Sequence, residues 1–151
     1  MLKNQTHRFI IGIDPGTKTG VAIWDRKIKT FVLIDTLCIV DAILDIGNFV
    51  RHQEEIGEKV MIRCENPNTW RPFKGRNDKA TNSRLQGAGS VKRDFAIWKE
   101  FAELFDVFFE PVSLQAAQKK MDAATFKKIT GINQRTSNHA RDAAMLVYNK
   151  F

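Results

Sequence analysis

Cysteine is scarce in this chain, and the spacing of the little there is excludes two kinds of staple. Cys38 and Cys64 are its two cysteines. They stand far apart with no Cys-x-x-Cys pair, so neither a zinc site nor a disulfide framework is indicated and a reducing compartment fits best. No run is long and apolar enough to cross a bilayer. The opening MLKNQTHR has no apolar segment behind its charges, so no secretory leader is expected and a cytoplasmic location is. Internal repeats and low-complexity segments are absent as well. Acidic residues are in the minority, with 17 Asp and Glu against 24 Lys and Arg. The resulting charge of +7 and a pI near 9.6 favour an anionic partner, and nucleic acid is the commonest one for a basic domain. Apolar material is plentiful: 43% hydrophobic residues and eleven Phe in 151 residues suffice for one domain, spanning 1–151, but not for two ordinary lobes.

The stretch FIIGIDPGTKTG at 9–20 organises the rest. Phe9 to Ile13 is a short apolar run rich in β-branched residues, and Asp14, Pro15 and Gly16 end it, so a strand delivers a carboxylate to its own exit. Side chains alternate along a strand, which puts Asp14 on the face of Gly12 and Ile10, with space expected beside the carboxylate at Gly12. Taken alone, Asp14 is equally compatible with simply opening a Pro-Gly turn. GVAIWD at 20–25 and KTFVLIDT at 29–36 read as two further strands joined by a short turn, completing an antiparallel meander. From 39 to 53 the period changes. Ile39, Ile43, Ile46 and Val50 share a helical stripe that covers one face of the sheet. VMIRC at 60–64 is a fourth strand, and it too exits on an acid, Glu65, with Asn66 and Pro67 behind it.

Residues 66–83 form a long polar connection broken by two prolines and a glycine, and such loops tend to be functional. Arg71, Lys74 and Arg76 supply attraction for phosphates, and the interleaved Trp70 and Phe73 offer faces on which bases can stack. The competing reading has both rings capping the core and the charges merely solvated. A helix is expected over 84–105, with one stripe of Val91, Phe95, Trp98, Ala102 and Phe105 and a second of Ile97, Phe101 and Leu104. Two apolar sides fit either a homodimer seam or a second layer of helices. VFFE at 107–110 reads as a fifth strand ended by Pro111, 113–131 as one or two short lysine-bearing helices stopped by Gly131, and about 137–148 as a last helix capped by Ser137.

His139 and Asp142 lie three apart in that last helix and share a face, beside the small Ala140, Ala143 and Ala144 that let the helix approach a neighbour closely. Asp14, Glu65 and Asp142 make a set of oxygen donors suited to Mg²⁺ or Mn²⁺, and the His139 imidazole would fit Mn²⁺ as well.

Element order and motifs together resemble a known family. Three antiparallel strands, a helix, a fourth strand ending in Glu, a helix, a fifth strand and a final helix carrying His-x-x-Asp is the layout of the ribonuclease H-like fold: α/β, with a five-stranded mixed sheet of three antiparallel then two parallel strands flanked by helices. Within it the chain resembles the RuvC-type Holliday-junction resolvases. IIGIDPGTKTG is similar to their opening strand and turn, CENP at 64–67 to their strand-end Glu, LQGAG at 85–89 to their Gly-containing helix start, and HARDA at 139–143 to their terminal motif. The resemblance implies that Asp14, Glu65 and Asp142 bind two divalent ions, with His139 where many relatives carry a further Asp. It implies a lysine on the scissile phosphate, to which Lys119 or Lys120 is nearest, and an aromatic wedge matching Trp70 or Phe73.

The implied activity is metal-dependent, structure-selective DNA cleavage that resolves four-way junctions by paired phosphodiester hydrolysis. One Mg²⁺, for which Mn²⁺ can substitute, makes hydroxide available, and a second about 4 Å away steadies the leaving oxygen. His139 then serves either as a metal ligand or in proton transfer. A four-way junction has two-fold symmetry, so a homodimer would give one site to each strand. Three alternatives stand beside it. One is a nuclease for other branched DNA or RNA-DNA hybrids, and another a non-catalytic junction binder. The third is a sugar-kinase-like ATP site suggested by Asp14 to Gly20, which lacks the second lobe it would need.

Overall fold

Every residue of β1 (Phe9–Asp14) is buried, so both faces of this strand need cover. The structure, a computed structural model, describes residues 6–69, 79–113 and 120–151. In chain order β1 is followed by β2 (Lys18–Asp25), β3 (Thr30–Cys38), α1 (Ile39–Glu55), β4 (Val60–Glu65), a short 3₁₀ turn (Pro67–Thr69), α2 (Lys79–Leu104), β5 (Phe108–Val112), α3 (Ala123–Thr130) and α4 (Asn138–Met145). The strands form one open α/β sheet in the order β3-β2-β1-β4-β5. β1 to β3 run antiparallel to one another, whereas β4 runs parallel to β1 and β5 parallel to β4.

Alternation divides the core in two. Phe9, Ile11, Ile13, Val21, Ile23 and Ile62 point to one face, where Ala42, Ile46 and Val50 of α1 and Phe95, Trp98, Phe101 and Ala102 of α2 meet them. Ile10, Ala22, Trp24, Ile34 and Met61 point to the other, against Phe126 of α3 and Ala140, Ala143, Ala144 and Val147 of the α4 region. The caps follow the expected chemistry. Ser137 Oγ accepts from the Ala140 N–H at 3.0 Å, and Gly131 closes α3 at φ +74°.

Three details depart from the pattern in the sequence. α2 begins at Lys79, inside the expected loop, because past the prolines and Gly75 no breaker precedes Gly87 and helix-favouring Lys, Ala, Arg, Leu and Gln dominate. β5 runs through Pro111 to Val112 rather than stopping before it. Val112 turns its carbonyl to the Asn66 N–H of β4's end at 2.8 Å, so its neighbour Pro111 faces the open side of an edge strand, where a missing N–H costs nothing. The second apolar stripe of α2 is not continuous: Phe101 is buried in the core while Leu104 is 83% exposed. Among the described residues no helix is long and apolar enough to cross a membrane.

Candidate active site

Two glycines decide where α4 lies. A Cβ on Gly12 would stand 2.2 Å from the Ala143 carbonyl oxygen, and one on Gly20 would stand 2.0 Å from that of His139. The helix backbone therefore rests directly on the sheet in a trough that only glycine permits. The space expected beside Gly12 is filled by α4. The alanines expected to favour close approach do so, with Ala140, Ala143 and Ala144 all buried in this contact. Gly20 is the register partner of Asp14, so the first turn of α4 is carried to the exit of β1.

The same exit receives Glu65. β1 and β4 are adjacent and parallel with Ile13 opposite Cys64, so the next residues, Asp14 and Glu65, leave the sheet side by side at the carboxyl ends of two parallel strands. Open α/β sheets form their binding crevices at such ends. In the tautomer protonated on Nδ1, His139 donates to Asp14 Oδ2 at 2.8 Å. Its Nε2 is left for another partner, so a ligand role and a proton-transfer role are both open to it.

Charge at this site is held under tension. Burial pushes the Asp14 carboxyl from its ordinary 3.8 up to about 6, opposed by a side-chain hydrogen bond with Glu65, and the nearby Asp142 charge pushes the same way as burial. Two carboxyls in hydrogen-bond contact need a proton or a cation between them. Asp142 is also raised by burial, with Lys120, His139 and Arg141 pulling it back. Lys120 thus acts on both acids. Cys64, beneath them, is a thiol whose ionisation is opposed by burial and by the charges of Asp14 and Glu65.

Asp14, Glu65, His139 and Asp142 are accordingly brought to one place, and Lys120 stands within electrostatic reach of it. Trp70, Arg71, Phe73, Lys74, Arg76 and Lys119 lie outside the described residues. Among the described residues, Asp14, Glu65, His139 and Asp142 included, no three His, Cys, Asp or Glu side chains are placed so that together they could hold a metal ion. The donors nevertheless suit a hard divalent cation. They are mainly carboxylate oxygens, with Asp14 buried and Glu65 and Asp142 half-buried at a strand exit.

Sequence reasoning overlooked Gly20, whose role depends on a strand pairing, and Arg141, a buried arginine beside Asp142 whose guanidinium is spent on two separate stretches of chain. An arginine inside an alanine-rich helical face was the available signal for the second. No protein-family model matches this chain, and no curated protein matches it significantly.

Proposed function

We propose that the chain is a metal-dependent endonuclease of the ribonuclease H-like fold that cuts four-way DNA junctions in the manner of the RuvC-type resolvases. The observation that carries this reading is the meeting of four residues from three distant parts of the chain, Asp14, Glu65, His139 and Asp142, at the carboxyl ends of β1 and β4. Element order and the mixed five-stranded sheet support it. So does the basic composition, which suits a polyanion.

Divalent cations, when bound, would supply the activation of water and the stabilisation of the leaving oxygen that in-line phosphodiester hydrolysis needs. Asp14, Glu65 and Asp142 would hold them. The remaining work falls to the protein. His139 orients the Asp14 carboxylate through its Nδ1 hydrogen bond and leaves Nε2 to bind or to relay a proton. Lys120 presents positive charge beside the acids, where a scissile phosphate would be drawn in. Arg71, Lys74 and Arg76 bind the junction arms and Trp70 or Phe73 stacks on an opened base. A symmetric dimer then makes the paired cuts.

The test is incubation of the protein with a synthetic four-way junction and Mg²⁺ or Mn²⁺, with linear duplex, flap and RNA-DNA hybrid as competitors. Symmetric paired nicks that disappear in Asp14→Asn and Glu65→Gln support the proposal. Equal cutting by either variant, or preference for a hybrid over the junction, overturns it.

A further inference from the structure

Arg141 is only 6% exposed although it sits on α4 next to Asp142, and its guanidinium makes four hydrogen bonds. Nε donates to the Met121 carbonyl at 3.0 Å, Nη1 to the carbonyl of Thr136 and, at 3.1 Å, to its Oγ1, and Nη2 to Asn138 Oδ1. Three acceptors near the start of α4 fix the fork, and the fourth, Met121, belongs to a separate stretch of chain. That stretch is held from its other side as well, because Asp122 Oδ1 accepts the Thr125 N–H at 2.7 Å and caps α3. Residues 120–122 are thereby a short strap pinned at Met121 and Asp122, with Lys120 next to the pinned pair.

We infer that Arg141 is a positioning residue that locks this strap to α4, so that the Lys120 ammonium is held in register with Asp142 and Asp14. Both acids of the site feel the Lys120 charge, whereas Arg141 spends its own hydrogen bonds on carbonyl, hydroxyl and amide oxygens and none on an acid. The planar fork is essential: a lysine keeps the charge, but its three donors share one nitrogen and cannot span the four acceptors that Nε, Nη1 and Nη2 reach. This inference rests on the nuclease reading for what Lys120 does, but not for where Lys120 is held.

Two measurements on the full chain separate the two. Hydrogen exchange at the strap, read at the Thr125 and Phe126 amides that donate to the Asp122 side chain and carbonyl, is expected to rise on the order of tenfold or more in Arg141→Lys, with the amides of β1 unchanged. Unchanged exchange in the strap overturns the clamp whether or not the protein cuts DNA. In junction cleavage, Arg141→Lys is expected to lower kcat on the order of tenfold with KM for DNA held within about twofold. In a Lys120→Met background the same substitution is expected to change kcat by less than about twofold, since its effect passes through Lys120. Multiplicative losses in the double variant would show that Arg141 acts otherwise and overturn the inference. Wild-type inactivity on every DNA would sink the nuclease reading alone, with strap exchange still deciding the clamp. Should Arg141→Lys not fold, Asn138→Ala removes one acceptor of the fork and carries the same expectations at smaller amplitude.

Discussion

Replacing Asp14 by Asn is expected to make the cation-free protein more stable at neutral pH while removing its activity. The Asp14 carboxyl is pushed from 3.8 to about 6, chiefly by burial. Because the folded value lies above the unfolded one, the native state holds this proton more tightly. That contribution is complete below about pH 4 and is lost as pH rises through about 6. A rise of about two units corresponds to at most about 3 kcal/mol, a ceiling because the proton is shared with Glu65. Asn has nearly the same shape and no charge to desolvate. The variant should therefore gain on the wild type between pH 4 and pH 7, by roughly 6–12 °C in Tm at the ceiling for a domain of this size. The assay is thermal unfolding followed by circular dichroism, in chelator, from pH 4 to 8. Adding Mn²⁺ at about a hundred times its Kd should stabilise the wild type by about 2.7 kcal/mol and the variant far less. A wild type that is the more stable of the two at pH 7.5 without metal, or a difference that does not grow between pH 4 and 7, would refute the reasoning.

Gly12→Ala and Gly20→Ala both drive a methyl into the α4 backbone, with contacts near 2 Å to a carbonyl oxygen, and are expected to cost roughly 1–3 kcal/mol or more in urea unfolding and to lower cleavage. Loss of neither would mean that α4 is not seated on these residues. In the native protein a thiol reagent at pH 8 should label exposed Cys38 and spare Cys64, with both reacting after denaturation. Rapid native labelling of Cys64 would contradict the burial of the sheet beneath the acids. Joint replacement of Arg71, Lys74 and Arg76 by Ala should weaken junction binding and flatten its dependence on salt by a slope of about 3, with little effect on cutting at saturating DNA. Salt-independent binding in both proteins would remove the loop from the interface.

Most of the elements are legible in the chain because their causes are local. β-branched runs stopped by Pro, Gly or Asn make β1 and β4, a 3.6-residue stripe makes α1, and Ser137 and Gly131 cap as their side chains dictate. Asp14 and Glu65 are recognisable for the same reason, since an acid at the end of an apolar strand is conspicuous in one dimension. Where local signals mislead, a neighbour is responsible. Pro111 stops a strand in general but not an edge strand with its ring nitrogen turned outward, and Gly12 suggests empty space only until α4 occupies it.

The acids' meeting belongs to another category. Residues 14, 65 and 142 become neighbours because β1 and β4 pair in parallel with one register, and because Gly12 and Gly20 together admit a helix backbone that no side chain there would allow. Composition and periodicity set which pieces form, for these depend on interactions within a turn or a strand. The distance between pieces, the burial that lifts the Asp14 carboxyl to about 6, and the tether from Arg141 to the Lys120 strap depend on contacts across the whole chain, and only the folded protein contains them.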